Sequence, residues 1–275
     1  MSTPRVAVVF GGGGAKAAAQ LGAAIALAEA GITPVHWVGT SMGSVIAAAM
    51  ASGADPAAML EGFASLRARD VLVRRFSALL PGFRASAIFR AEPFRATVER
   101  LIIPRRFDDL VAPCTVTAVE RETGQMISFG TGGETAPLID ALAASCALPP
   151  YFPPVQVNGR LFYDGGIREP LPLSVAETID CDVVVAIDVG PGFDELGSRV
   201  ITPPPFIMAA DTAIGWLMAG TTQLLRQRWR DRPDLPKLIY VRPTTDRGAT
   251  FAMDRIPDYG RAGSQAMRDA LKEIG

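Results

Sequence analysis

A serine between two glycines, in Gly39-Thr40-Ser41-Met42-Gly43, has the best spacing for nucleophilic chemistry in this chain. The pentapeptide follows an apolar stretch, Val35 to Val38, and opens a second one that extends to Ala51. A strand that turns sharply into a helix is the context in which such a serine is exposed as a nucleophile. We therefore predict that Ser41 presents its hydroxyl at the edge of a sheet. The alternative interpretation is a glycine-rich turn with a capping serine.

A serine hydroxyl is a weak nucleophile and needs a base beside it. The single histidine, His36, lies on the strand that leads to Ser41. It is too close along an extended segment to fold back onto the serine hydroxyl. We predict a structural role for His36, which leaves a carboxylate or a lysine as the base of Ser41.

Two aspartates end predicted strands, and each is a candidate for that base. Asp164 ends the strand 161–164 and precedes Gly165 and Gly166, which allow the chain to turn back sharply. An aspartate that acts directly must be partly desolvated, because its ordinary pKa of about 3.9 is low for a proton acceptor. Asp188 ends a second strand, and we interpret it as a capping or supporting residue. Taken alone, Asp164-Gly165-Gly166 also fits an ordinary turn.

Four glycines, Gly11 to Gly14, stand between a first predicted strand, 5–10, and a predicted helix, 15–30. Such a loop directs several main-chain N–H groups to one point, and the positive end of the helix reinforces them. An oxyanion formed at Ser41 would be stabilised there. The expected donors are the N–H groups of Gly12, Gly13 and Gly14. Lys16 either adds positive charge near this loop or faces solvent.

The glycine loop also has the loose spacing of a dinucleotide-binding loop, through Gly12, Gly14 and Ala17. The second strand, however, ends in Trp37-Val38-Gly39 and lacks the acidic residue that would bind a ribose. A phosphate-binding P-loop needs serine or threonine after Lys16, where this chain has Ala17. We therefore expect no dinucleotide cofactor. One histidine and scattered carboxylates also predict no metal site.

The composition excludes several classes of protein. Of 275 residues, 49% are hydrophobic and 20% are charged, which favours a single globular domain over residues 1–275. The formal net charge of −1 gives no general attraction to nucleic acid. The three cysteines lie far apart, which fits core residues in a reducing compartment. The stretch 206–225 carries an aspartate and two glycines, which argue against a transmembrane helix. We expect a cytoplasmic protein that can still meet a membrane surface.

The segment from Arg67 to Arg106 differs from the rest of the chain. It contains ten arginines against three acidic residues, a local charge of +7. Apolar residues lie between the arginines, namely Phe76, Leu79, Leu80, Phe83, Ile88, Phe89 and Phe94. This pattern fits either a solvated helical face or a lid that meets anionic lipid headgroups.

Strands and helices alternate along the chain, which predicts an α/β fold with a mostly parallel central sheet flanked by helices. Further strands are predicted over 114–120 and 125–129, joined as a hairpin, and over 182–189 and 237–241. Further helices are predicted to follow Ser41 to residue 51, and over 55–66, 137–148, 171–179 and 259–274. The glycine- and proline-rich stretch 190–205 is predicted to be a surface loop.

Together these motifs resemble the patatin-like phospholipase family, and the chain is closest in length to its short bacterial members. Matching blocks occur in order: the glycine loop up to Lys16, the pentapeptide around Ser41, the segment 144–154 and Asp164-Gly165-Gly166. Two positions depart from the usual pattern of the family. Ala17 stands where a glycine ends the loop, and Ile167-Arg168-Glu169-Pro170 lacks an asparagine before the proline.

The resemblance implies a three-layer architecture, a dyad of Ser41 and Asp164, and an oxyanion hole in the glycine loop. It also implies hydrolysis of acyl esters in phospholipids or neutral lipids through an acyl-enzyme, without a cofactor. The same dyad could instead transfer the acyl group to an alcohol other than water. A module that binds lipid or protein without turnover is the non-enzymatic alternative.

Overall fold

The computed structural model of the protein describes residues 4–74, 87–193, 205–246 and 249–273. Its strands are β1 (Val6–Phe10), β2 (His36–Thr40), β3 (Cys114–Glu120), β4 (Met126–Gly130), β5 (Val155–Val157), β6 (Arg160–Asp164), β7 (Val183–Ile187) and β8 (Lys237–Val241). Its helices are α1 (Ala18–Glu29), α2 (Met42–Ala51), α3 (Pro56–Ser65), α4 (Ala68–Val71), α5 (Ala91–Leu101), α6 (Leu138–Ser145), α7 (Leu173–Ala176), α8 (Pro205–Arg230) and α9 (Ile256–Ala270).

All of these strands belong to one sheet, in the order β5-β6-β3-β2-β1-β7-β8, with β4 paired to β3. The five strands from β3 to β8 in that order run parallel. Strands β4, β5 and β6 add antiparallel pairs at the β3 end of the sheet. The predicted α/β fold with a mostly parallel central sheet is therefore confirmed.

Helices cover both faces of the sheet, and its central strands are therefore buried on both sides. Along β1, Val6, Val8 and Phe10 join one apolar cluster, whereas Ala7 and Val9 join a second one. The first cluster takes in residues of α1, α2, α6 and α9, and the second takes in residues of α7 and α8. A strand that is apolar throughout is the expected sequence for such a position.

Most predicted elements occur close to their predicted bounds, and two differ. The first turn of the helix predicted over 15–30 is a 3-10 turn, Gly14–Ala17, before α1 begins. The helix predicted over 171–179 shortens to α7. Helix α8 was not predicted, because the stretch was considered only as a membrane span. The loop predicted over 190–205 lies mostly outside the described residues.

Part of the arginine-rich segment is described. Phe94, on α5, is buried in the core, and Phe89 stacks on Tyr151 with ring centroids 6.2 Å apart. Arg95 pairs with Asp140 at 2.6 Å, which ties α5 to α6. Described phenylalanines of this segment therefore pack inward. Phe76, Leu79, Leu80 and Phe83 lie outside the described residues, and a lid role stays a prediction.

No helix in the described ranges combines the length and the apolar composition that crossing a membrane requires.

Candidate active site

Strands β2 and β6 approach each other head-on along one edge of β3. Thr40, the last residue of β2, pairs with Thr117 of β3. The next residue of β3, Ala118, pairs with Asp164, the last residue of β6. The other edge of β3 is taken by β4, so β2 and β6 share a single edge. Because β6 runs antiparallel to β3, its end meets the end of β2, and Asp164 faces the residue that follows Thr40.

That residue is Ser41, which forms the sharp turn between β2 and α2. Its φ of 53° and ψ of −137° lie in a region that non-glycine residues rarely adopt. Two glycines allow α2 to pack tightly against the strands there. A Cβ atom at Gly39 would lie 2.4 Å from the carbonyl oxygen of Gly43, and one at Gly43 would lie 2.5 Å from that of Gly11. The strand–turn–helix context predicted for Ser41 is present.

The hydroxyl of Ser41 donates a hydrogen bond to Asp164, with Oγ 2.7 Å from Oδ2. The other oxygen of Asp164, Oδ1, accepts the N–H of Gly166 at 2.7 Å. Asp164 is 1% exposed, and this burial raises the pKa of its carboxyl group to about 7, against the lowering effect of both hydrogen bonds. A carboxylate with that pKa can accept a proton near neutral pH.

The glycine after Asp164 makes its close approach possible. A Cβ atom at Gly165 would lie 2.4 Å from Oγ1 of Thr40 and 2.5 Å from the carbonyl oxygen of Thr117. Any side chain at this position would push β6 away from β2 and β3. The short distance between Ser41 and Asp164 therefore depends on a glycine at position 165.

Two serines, neither of them predicted as a site residue, hold Ser41 in its strained turn. The main-chain N–H of Ser41 donates to Oγ of Ser145, at the end of α6, at 2.9 Å. The hydroxyl of Ser44 donates to the carbonyl oxygen of Ser41 at 2.6 Å. Ser44 and Ser145 are both fully buried. Ser145 belongs to the segment 144–154, which resembles the family, but no pattern in the sequence indicated what its hydroxyl contacts.

The glycine loop passes directly beside Ser41. A Cβ atom at Gly12 would lie 3.0 Å from Cβ of Ser41. However, the N–H of Gly12 donates to the carbonyl oxygen of Pro170 at 2.8 Å, and that of Gly11 donates to Ile187. Gly12 therefore has no free N–H for an oxyanion, which corrects the expectation for this residue. Its structural part is to let the loop lie against the serine.

The next two glycines keep their main-chain donors. In the described part of the chain, the N–H groups of Gly13 and Gly14 have no hydrogen-bond acceptor. A Cβ atom at Gly13 would lie 2.7 Å from the carbonyl oxygen of Val189, so the loop is pressed against the end of β7. Lys16 is 3% exposed, which excludes the solvent-facing alternative for its side chain.

The two other titratable candidates have different surroundings. Oδ2 of Asp188 accepts the hydroxyl of Tyr240 at 2.6 Å and lies 3.0 Å from Nη1 of Arg242, while Oδ1 accepts the N–H of Gly190. Asp188 therefore supports the loop that follows β7, in keeping with its interpretation as a capping or supporting residue. His36 starts β2, about 16 Å from Ser41 along an extended strand, and its Nε2 bonds Oγ1 of Thr115 at 2.8 Å.

Helix α8 borders the site. The hydroxyl of Tyr151, just after α6, donates to Asp211 of α8. Met218, on the same side of α8 as Asp211, also reaches the site, because a Cβ atom at Gly166 would lie 3.4 Å from its Cε. Among the described residues, no cluster of three or more His, Cys, Asp or Glu side chains is arranged to hold a metal ion.

A model of the family described as patatin-like phospholipase matches residues 8–177, which include Ser41 and Asp164. An uncharacterized NTE family protein of Mycobacterium bovis is 35% identical over 189 residues, 68% of this chain and 50% of that protein. Patatin-like phospholipase domain-containing protein 6 of Homo sapiens is 31% identical over 192 residues, 67% of this chain and 13% of that protein.

The chain thus spans about half the length of the mycobacterial relative. Among solved structures, the type III effector protein ExoU of Pseudomonas aeruginosa has a similar fold. The TM-score is 0.50 at 15% identity, over 99% of this chain and 53% of ExoU. At that identity, the likeness concerns the fold alone.

Proposed function

The chain belongs to the patatin-like phospholipase family, and on that premise we propose that it is a serine acyl hydrolase that cleaves lipid carboxylic esters. One observation carries the proposal: Oγ of Ser41 lies 2.7 Å from Oδ2 of a buried aspartate, Asp164. This contact joins a nucleophile to a base without a histidine. The family membership supplies the substrate class, an ester of a fatty acid.

In the proposed reaction, Asp164 accepts the hydroxyl proton of Ser41 while Oγ attacks the ester carbonyl. The alcohol part of the lipid leaves with that proton, and the acyl group stays on Oγ. A water molecule that gives its proton to Asp164 then attacks the acyl-enzyme and releases the fatty acid. A pKa of about 7 suits Asp164 to both directions of proton transfer, because the group can accept and return a proton near neutral pH.

The oxyanion formed in each attack needs donors that are already in place. We propose the N–H groups of Gly13 and Gly14 for this role, because they have no acceptor in the described part of the chain and follow a glycine that touches Ser41. Removal of one such donor typically costs about 3–4 kcal/mol of transition-state stabilisation. Helix α2 begins directly after Ser41, so its positive end adds to the field at the same point.

The proposal is tested by the release of fatty acid from phosphatidylcholine micelles and of p-nitrophenol from p-nitrophenyl butyrate. Ser41→Ala should lower both rates by about 10³-fold or more. Ser52→Ala is the matched control, because it removes a serine hydroxyl at the far end of α2 that donates to the main-chain carbonyl of Ala49 and not to Asp164. Equal rates for the wild type and Ser41→Ala would contradict the proposal.

Acyl transfer and binding without turnover are separated in the same assay. A transferase would form product only after addition of an acceptor alcohol such as glycerol or a lysolipid. A binding module would retain vesicle binding and show no Ser41-dependent product with any acceptor.

A further inference from the structure

A cleft of about 570 Å³ lies beside the amino-terminal ends of β2 and β3, away from the proposed active site. His36 of β2, Thr115 of β3 and Ser128 of β4 line it, together with residues of α7 and of the turn after β4. Its volume falls within the range of about 300–1,000 Å³ that is usual for small-molecule sites. Because His36 is five residues from Ser41 along an extended strand, the cleft is separate from the dyad.

The floor of this cleft is polar, although central strands of a mostly parallel sheet are normally apolar on both faces. Cys114 and Val116 belong to the first apolar cluster, so Thr115, between them, faces the opposite side of the sheet. His36 is hydrogen-bonded to Thr115 there, and Ser128 lies in the same cleft. Three polar side chains from three neighbouring strands thus meet where packing alone would favour apolar ones.

The hydrogen bonds of the cleft fix which ring nitrogen of His36 carries a proton. The hydroxyl of Thr115 donates its single proton to the carbonyl oxygen of Thr131 at 2.6 Å. Toward His36 this hydroxyl can therefore only accept, and Nε2, at 2.8 Å, is the donor. Burial lowers the pKa of His36, so the ring is neutral near pH 7 and Nδ1 is unprotonated. Among the described residues Nδ1 has no partner, and it is open to the cleft.

Two hydroxyl donors accompany this free acceptor. The hydroxyl of Ser128 makes no hydrogen bond within the described part of the chain. Oγ1 of Thr131 accepts the N–H of Cys114 at 3.2 Å, and its own proton has no acceptor among the same described residues. A ligand that fits the cleft must therefore donate to Nδ1 of His36 and accept from Ser128 and Thr131. A hydroxyl group does both.

The charges of the cleft do not favour an ion. Its charged lining residues, Arg5 and Asp180, pair with each other at 2.5 Å. A carboxylate ligand could not donate to Nδ1 of His36, and an ammonium ligand could not accept from the hydroxyls. Apolar lining residues such as Val35 and Ile179 can contact the C–H groups of a ligand.

We propose that this cleft binds a small neutral polyol, with one hydroxyl donating to Nδ1 of His36 and others accepting from Ser128 and Thr131. The proposal goes beyond the proposed function and does not depend on it, because no contact of the cleft involves Ser41 or Asp164. Free sugars and the sugar headgroups of lipids share this hydroxyl chemistry.

The single histidine makes this site directly measurable. In the untagged chain, isotope-labelled histidine gives one pair of ring-nitrogen NMR signals. Near neutral pH we expect a protonated Nε2 and an unprotonated Nδ1. Addition of myo-inositol should shift the Nδ1 signal in a saturable manner. Inorganic phosphate and acetate, at matched ionic strength, should leave it in place.

Variants separate binding from the structural role of His36. In His36→Gln the side-chain amide can still donate to Thr115, but the acceptor Nδ1 is lost. Calorimetric titration with myo-inositol should show binding weakened about tenfold, and Ser128→Ala should weaken it about fivefold. Both variants should melt near the wild-type temperature. The matched control is Ser65→Ala, which removes a hydroxyl on α3, a helix that packs on the first apolar cluster.

A pair of glucosides distinguishes the two sources of the polyol. Methyl glucoside and octyl glucoside are compared below the concentration at which the latter forms micelles. Equal affinities that both fall in His36→Gln support a free sugar. Tighter binding of the octyl compound, again dependent on His36, supports a lipid headgroup.

Three results would overturn the proposal. The first is a protonated Nδ1 in the free protein, which would remove the acceptor. The second is an Nδ1 signal that no polyol shifts. The third is saturable binding of phosphate that excludes myo-inositol, which would assign the cleft to an anion. None of these results bears on hydrolysis of p-nitrophenyl butyrate, so failure of the polyol site and failure of the proposed function are observed separately.

Discussion

Asp164 occupies the place beside strand β3 that Ser41 would take if strand β2 continued for one more residue. Thr40 pairs with Thr117, and Asp164 pairs with the following residue, Ala118. Both members of the proposed dyad are thus positioned by hydrogen-bonded strands and not by long loops. Residues carried on rigid elements hold catalytic geometry more closely than residues on loops.

Ser145 is the first residue whose replacement should separate positioning from chemistry. In Ser145→Ala the half-buried main-chain N–H of Ser41 loses its acceptor, which costs about 1 kcal/mol of stability. Because the turn of Ser41 is strained, its hydroxyl should also move relative to Asp164. We expect kcat for p-nitrophenyl butyrate to fall about tenfold or more with little change in KM. Ser52→Ala is the control, because the hydroxyl it removes bonds a main-chain carbonyl remote from the dyad, and it should change neither kcat nor KM. An unchanged kcat in Ser145→Ala would contradict the positioning role.

The rate of hydrolysis should depend on the protonation state of Asp164. Burial raises the pKa of this carboxyl to about 7, and only its ionised form can accept the proton of Ser41. We therefore expect kcat/KM to rise through a single ionisation near pH 7 and to level off above it. His36 is the single histidine and the other candidate for an ionisation in this range, although burial lowers its pKa. His36→Gln should leave the profile in place, whereas a profile that moves with His36 would assign the ionisation to the histidine.

The same pKa predicts how Asp164 affects stability. Since the folded pKa lies above the unfolded value of 3.8, the native state binds a proton between these values that the unfolded state has lost. The free energy of unfolding therefore falls as pH rises from about 4 to about 7. Asp164→Asn has no such titration. The free energy of unfolding of this variant should therefore exceed that of the wild type by up to about 4 kcal/mol above pH 7 and should not exceed it below pH 4. Urea titrations at several pH values measure it; a variant no more stable than wild type at pH 8 would contradict the assigned burial of charge.

Glycine at position 43 should be required for folding. A Cβ atom there would lie 2.5 Å and 2.6 Å from the carbonyl oxygens of Gly11 and Phe10, and main-chain atoms of a central strand cannot yield cheaply. We expect Gly43→Ala to lose about 3 kcal/mol or more of stability. Gly220→Ala is the control, because the added methyl group on α8 meets nothing within 4 Å and should gain up to about 1 kcal/mol from helix propensity. Thermal melts of both variants measure the contrast, and similar melting temperatures would contradict it.

Local signals in the sequence predict much of the scaffold. Apolar runs such as Val6–Phe10 and Val183–Ile187 predict buried strands, and Asp55 before Pro56 predicts the start of α3, where its carboxylate accepts the N–H groups of Ala57 and Ala58. The spacing around Ser41 predicts the turn, because a strand, two glycines and a helix are enough to form it.

Long-range contacts carried no such signal. The N–H of Gly12 donates to the carbonyl oxygen of Pro170 in another loop. No residue near Gly12 in the sequence indicates that this donor is already hydrogen-bonded. Ser145 lies in an apolar helix, where a serine has no pattern that points to Ser41. The antiparallel course of β6, which sets the approach of Asp164, depends on pairing with β3 and not on residues 160–164 alone. Helix α8 was missed because residues 206–225 were considered only as a membrane span, whereas Leu225 and Trp229 pack the helix on the second apolar cluster.

A fluorophosphonate probe tests the proposed dyad most directly, because it reacts only with an activated serine. The intact mass of the wild type should increase by one adduct. Ser41→Ala should gain none, and Asp164→Asn should react at least about 100-fold more slowly. Asp188→Asn is the matched control, since Asp188 is a buried aspartate just after β7 that is bonded to Tyr240 and Arg242 and not to Ser41; its folded fraction should label at the wild-type rate. A folded wild type that forms no adduct, or an adduct that persists in Ser41→Ala, would contradict the assignment of Ser41 as the nucleophile.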